Sequence, residues 1–264
     1  MAKTFKEKNS INKNLAIILF RLISLFIILI CLYFLYNWHI ENKENNEIIT
    51  DIRAQIIIPD TISISSTDEE TLPNDVSDEL VDFSNLLSIN PETVAWLRVN
   101  NTAVDFPVVK SQDNDYYLNH NFYNKYNSAG WIYADFRNKF DGTDKNIIIY
   151  GHNRRDGSMF STLKNTLEES WYTNPENLQI PLYTPVGNYT YQIFSIYAIV
   201  AQYFENTVNF ESDENFQSYI DDVKAKSVTN FNVDVSASDS ILTLYTCGNN
   251  TKYRVIIHAK RIVD

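Results

Sequence analysis

The stretch Ile241-Leu242-Thr243-Leu244-Tyr245-Thr246-Cys247-Gly248-Asn249-Asn250 decides how this chain is read. Its first part is apolar, β-branched or aromatic, and it runs into Gly-Asn-Asn. That is the composition of a strand stopping at a tight loop. The strand stops on a cysteine. The chain has 2 cysteines, and the other, Cys31, lies inside an N-terminal hydrophobic segment, so no disulfide can form within the remainder. A lone thiol in an oxidising compartment is a liability unless it performs chemistry. The bland alternative is a buried cysteine serving as a small hydrophobe.

A catalytic thiol needs a partner that holds or takes its proton. There are four histidines in the chain. His39 abuts the hydrophobic segment and reads as interfacial. His120 lies in polar Asn119-His120-Asn121 and reads as solvated. His258 sits within the terminal strand and reads as a core or outward-facing residue. His152 differs. It ends the apolar run Ile147-Ile148-Ile149-Tyr150-Gly151 and opens the loop Asn153-Arg154-Arg155-Asp156-Gly157. Active-site residues favour strand ends where loops begin, and Cys247 ends its strand in the same way. Arg254 opens the next strand after the short loop that follows Cys247. Antiparallel pairing of these two strands would set Arg254 across from Cys247, where a cation can stabilise an acyl-transfer oxyanion.

The organisation around these residues is mostly β. Strands are expected over 94–99, 104–109, 130–134, 146–152, 189–200, 241–247 and 253–262, with turn residues between them. Helices are expected over 76–89, 115–118, 158–167 and 211–227, the last facing inward through Phe216, Tyr219, Ile220 and Val223. Such a pattern suggests a closed barrel or a sandwich with a few peripheral helices. The 17 Tyr and 15 Phe suit such a core.

Residues 15–36 are apolar apart from Arg21 and Ser24, about the length that spans a bilayer as a helix. Lys3, Lys6, Lys8 and Lys13 precede them, which keeps that flank cytoplasmic and exports the rest. The run is longer than a signal-peptide core and no A-x-A-like site follows, so an uncleaved anchor is expected. The division is then a basic leader (1–14), a transmembrane signal-anchor (15–36), an extracytoplasmic stalk (37–75) and one domain (76–264), which is long enough for a substantial core. The whole chain carries a net charge of −11. This argues against a nucleic-acid partner, which demands clustered Lys and Arg. One cysteine and scattered histidines show no metal-ligand spacing, the 6 glycines form no phosphate-binding loop, and no cofactor is implied.

These residues resemble a known family. Thr243-Leu244-Tyr245-Thr246-Cys247 matches the T-L-x-T-C motif of sortases, the cysteine transpeptidases of Gram-positive surfaces. Gly151-His152-Asn153 resembles their catalytic histidine segment, and Arg254-Val255-Ile256-Ile257-His258-Ala259-Lys260 their arginine strand. The resemblance extends through Ile89-Asn90-Pro91-Glu92-Thr93-Val94-Ala95-Trp96-Leu97, Phe106-Pro107-Val108-Val109-Lys110, Asp113-Asn114-Asp115-Tyr116-Tyr117-Leu118 and Asp156-Gly157-Ser158-Met159-Phe160. With a helix before the cysteine strand, it is most like class B.

The resemblance implies an eight-stranded β-barrel preceded by one transmembrane helix. It makes Cys247 the nucleophile, His152 the acid/base, and Arg254 the oxyanion or substrate clamp, with Tyr245, Thr246 and Asn153 at the substrate. It further implies cleavage of an LPXTG-like sorting signal of surface proteins and transfer to an amine of the peptidoglycan cross-bridge. Three other readings stand beside it: a pilin-polymerising sortase using a lysine acceptor, a thiol hydrolase releasing the peptide to water, and a non-catalytic surface-binding domain. Two departures, Tyr245 in place of the serine frequent in class B and a short Cys-to-Arg connection, both border the substrate groove.

Overall fold

The computed structural model describes residues 2–54, 81–200, 206–247 and 253–262. Helix α1 (Ala2–Arg53) opens the chain. It contains a stretch long and apolar enough to cross a membrane, with Phe20, Phe26, Phe34 and their aliphatic neighbours exposed. The chain divides into two compact units, Met1–Glu44 and Asn45–Asp264.

The second unit begins with the last turns of α1. Ile48, Ile49 and Ile52 are buried there. Asn45 donates to Asn127 Oδ1 at 3.4 Å, and Arg53 donates through Nε to the Asp105 carbonyl at 3.0 Å while lying over the Phe106 ring. Of the segment expected to form a stalk (37–75), residues 45–53 are thus helical and packed within the second unit. Ile48 and Ile52 recur at helical spacing, and that face is buried in the second unit. The rest of the expected stalk, 55–75, and positions 76–80 lie outside the described residues. The next helix is also shorter than its pattern suggests. Helix α2 spans Ser84–Ile89, and residues 81–83 are not helical. Asp82 Oδ1 accepts the Ser84 amide at 2.8 Å, so the aspartate starts a turn where the hydrophobic periodicity suggested a helix interior.

Eight strands close into a barrel: β1 (Thr93–Arg98), β2 (Asp105–Val109), β3 (Tyr133–Ala134), β4 (Asn146–His152), β5 (Gln179–Thr184), β6 (Gly187–Val200), β7 (Ile241–Cys247) and β8 (Tyr253–Ile262). Their order around the wall is β1-β2-β3-β4-β7-β8-β6-β5. Two neighbouring pairs, β2–β3 and β4–β7, are parallel. Strand β5 is absent from the sequence reading because Pro181 interrupts its apolar run, and proline cannot donate to a ladder. It pairs nonetheless with β6 over its whole length and with β1 at Trp96↔Tyr183 and Leu97↔Leu182. β3 is shorter than expected, since Gly130 (φ 60°) turns the chain just before it.

The interior is filled by Leu97, Val108, Ile149, Leu182, Ile193, Leu244 and Ile257, among others. A short helix α3 (Glu169–Tyr172) and three 3-10 turns line the connections; two of these turns, Tyr116–Leu118 and Ser161–Leu167, replace expected helices. Helix α4 (Asp213–Ala225) covers the outer face of β6, β7 and β8. Phe216, Ile220 and Val223 pack there on Phe194, Tyr197, Ile241 and Ile256 as a second core. Ser212 fixes its start, accepting the Asn215 amide at 3.2 Å, with Asp213 and Glu214 in the first turn.

Candidate active site

Strands β4 and β7 run parallel with a continuous register from Asn146↔Ile241 to His152↔Cys247. Both strands therefore finish at the same level, and the two residues stand side by side about 4.8 Å apart in backbone spacing. Side-chain contacts confirm that alternate positions share a face. Thr243 Oγ1 donates to Asn146 Oδ1 at 2.8 Å, and the Tyr150 and Tyr245 rings meet edge-on at 5.7 Å. On the other flank of β7, antiparallel β8 is in register from Ile241↔Lys260 to Tyr245↔Ile256. One step further, the Val255 amide donates to Thr246 Oγ1 at 2.8 Å, which carries the alignment to the strand end. Arg254, paired on its far side with Ile199 of β6, is thus set at the level of Cys247. Histidine, cysteine and arginine form one row across three adjacent strands.

Gly151 explains how His152 is seated. A Cβ at 151 would lie 2.5 Å from both Ile132 Cδ1 and Phe160 Cγ, so only a glycine lets β4 settle this deeply in the core. The imidazole is 6% exposed. Its Nε2 lies 2.8 Å from the Leu118 carbonyl. A carbonyl only accepts, so Nε2 carries the hydrogen and Nδ1 is the nitrogen free to gain or lose a proton. Nδ1 is buried and has no hydrogen-bond partner among the described residues. Burial pushes the His152 pKa down; the Leu118 carbonyl acts in the opposite sense, the Arg154 charge adds to the lowering, and the net shift is downward. A neutral imidazole with an available lone pair is the form that can accept a thiol proton.

A sortase-domain family model matches residues 97–262, more than half of the chain. The chain belongs to the sortase family. Sortase B of Listeria monocytogenes is 34% identical over 247 residues, covering 90% of this chain and 96% of that protein. Sortase B of Staphylococcus aureus is 33% identical over 183 residues, covering 68% and 74%. Among solved structures, sortase B from Bacillus anthracis superposes with a TM-score of 0.71 at 28% identity, covering 86% of this chain and 100% of that one. A sortase B–substrate complex from Staphylococcus aureus gives 0.64 at 34% identity, covering 68% and 84%. The protein is a class B sortase, a cysteine transpeptidase, on the closed barrel that the resemblance implied.

The other expected residues of this sortase fall in different places. Tyr245 is half-buried between both cores, with its ring edge-on to Tyr150. Asn153 opens the loop after β4 and bridges to Met159. Thr246 is 1% exposed and its hydroxyl takes the Val255 amide, so here it ties β8 to β7. His120 is not simply solvated: its ring stacks flat on Tyr116 at 4.0 Å, and Nδ1 lies 2.8 Å from the Tyr116 carbonyl. His258 is fully buried beneath α4, between Thr243 Oγ1 at 2.9 Å and Tyr197 Oη at 3.1 Å. An open cleft of about 620 Å³ lies beside α4, lined by Tyr197, Phe210, Tyr219 and Lys226 among others, and it includes none of the row.

Sequence reading missed the groups that hold the site in place. The Leu118 carbonyl is a backbone atom and carries no residue-type signal. Gly130 has one: a Cβ there would lie 2.5 Å from the Tyr117 carbonyl and 2.7 Å from that of Leu118, so its glycine lets the 116–118 turn close against β3. Tyr150 was legible in principle, being two residues before His152 and hence on the same face of β4.

Proposed function

We propose that this sortase is a membrane-anchored transpeptidase in which Cys247 is the nucleophile, His152 the acid/base and Arg254 the oxyanion or substrate clamp. The observation that carries the reading is the His152↔Cys247 register pair, with Nε2 committed to Leu118 and Nδ1 left to exchange a proton. The Cys247 sulfur attacks a peptide carbonyl of an LPXTG-like sorting signal as its proton passes to His152. The arginine meets the charge that develops on the carbonyl oxygen. His152 returns the proton to the departing amine, leaving a thioester on Cys247. An incoming amine of the peptidoglycan cross-bridge then attacks the thioester, His152 removes its proton, and the thiol is restored with a new amide bond. The apolar stretch of α1 supports anchoring by residues 15–36, and the basic residues before it support an extracytoplasmic catalytic domain.

Incubation of the detergent-solubilised chain with sorting-signal peptides and amines, followed by mass spectrometry, tests this. The expected result is a Cys247 thioester and an amide product, both absent in Cys247→Ala. Substantial turnover by Cys247→Ala would overturn the reading.

A further inference from the structure

Asp135 is fully buried, and its carboxylate is met by three side chains. Tyr150 Oη donates to Oδ2 at 2.9 Å and Asn114 Nδ2 donates to Oδ2 at 3.0 Å. Arg137 donates through Nε to Oδ1 at 2.7 Å and through Nη2 to Oδ2 at 2.8 Å. This is the bidentate fork that a guanidinium can form and an ammonium cannot. Nη2 has a second hydrogen, and it points to the carbonyl oxygen of Asn206 at 2.7 Å. Asn206 lies in the connection between β6 and α4.

One buried carboxylate therefore holds three pieces of the molecule together. Asn114 leads into the turn whose Leu118 carbonyl seats His152. Tyr150 stands beside Tyr245, two residues before Cys247. Asn206 belongs to the segment that passes from the end of β6 toward α4. An exposed ion pair would add little to stability. A buried carboxylate must be neutralised, and Arg137 does this while its second Nη2 hydrogen holds the Asn206 carbonyl.

We propose that Arg137 is a specificity-determining positioning residue: it fixes the Asn206 end of the β6–α4 connection to a floor formed by Tyr150 and Tyr245, and so sets the shape of the peptide groove. The proposal rests on the reading of the His152–Cys247–Arg254 row as the reaction centre. Arg137 touches none of the reacting atoms, so its loss should separate substrate binding from chemistry.

The test uses Arg137→Gln and Arg137→Lys in the full-length chain, with three readouts. KM for a sorting-signal peptide should rise about tenfold or more, the mark of lost contacts that the ground and transition states share equally. Both kcat and the rate of Cys247 alkylation by iodoacetamide should stay near wild type. Amide hydrogens at 206–210 should exchange faster. Arg137→Lys keeps a charge beside Asp135, so it tests the fork if Arg137→Gln does not fold. An unchanged KM in a folded variant overturns the proposal, as does a parallel fall in kcat and alkylation. Failure of the wild type to cleave any sorting signal strikes the transpeptidase reading instead; unchanged exchange at 206–210 would then overturn the latch by itself.

Discussion

The Nε2 nitrogen of His152 lies 2.8 Å from the carbonyl oxygen of Leu118, 34 residues upstream. This contact fixes which imidazole nitrogen is chemically available. It also sets the first prediction. Burial and then, more weakly, the Arg154 charge outweigh the Leu118 carbonyl, so the His152 midpoint should lie below the usual 6.5 in the free enzyme. An NMR titration of the imidazole checks this directly, and Arg154→Ala should move the midpoint upward. A midpoint above 6.5 would mean that something other than burial governs this ring.

His258 should make the fold acid-sensitive. Complete burial, with a smaller contribution from the Lys226 charge, lowers its pKa to about 3. The unfolded chain takes a proton there near pH 6.5, and the folded chain does not. Stability from this group is therefore present above about pH 6.5 and falls as pH drops, by about 1.4 kcal/mol per unit until the folded pKa is reached. Urea unfolding at pH 7 and pH 5 should show this loss, and His258→Gln should remove most of the slope. An equal slope in that variant would assign the effect to carboxylates.

Gly151→Ala should destabilise the barrel by about 1–3 kcal/mol, the usual cost of overpacking. The added methyl meets Ile132 and Phe160 at 2.5 Å, and relief requires β4 to shift at the point where it delivers His152. Thermal unfolding and kcat should fall together. Phe160→Leu in the same chain should recover part of both, and recovery of neither would show that the clash is not the cause.

The last turns of α1 should behave as part of the catalytic domain. Ile52 is fully buried, so Ile52→Ala should cost about 2–5 kcal/mol. A fragment beginning at residue 76 should melt well below one beginning at 45. Limited proteolysis should spare 45–53 in the intact protein; rapid cutting there would contradict the packing of Ile48, Ile49 and Ile52.

Much of this molecule is legible in its sequence, for identifiable reasons. Ile147-Ile148-Ile149 and Ile241-Leu242 are dense, β-branched or aliphatic runs that end at loops, so both strands and their terminal His152 and Cys247 stand out. Pro181 hid β5, because a single proline outweighs the strand signal in a short run. Asp82 hid the true start of α2, since local side-chain bonding overrode periodicity. Asp135, Arg137 and Asn206 could not be connected at all. Their association depends on tertiary folding, which brings Arg137 to a carbonyl 69 positions away.

The parallel pairing of β4 with β7 bears on when this protein becomes reactive. His152 and Cys247 are 95 positions apart, and nothing local brings them together. Contacts of that sequence separation form late, after the loop entropy has been overcome. On the proposed mechanism, a chain still threading or partly collapsed would hold Cys247 away from His152, and its thiol would behave as an ordinary one. Closure of the wall would on that mechanism also be the event that arms the chemistry, and a misfolded copy would be inert toward a sorting-signal peptide.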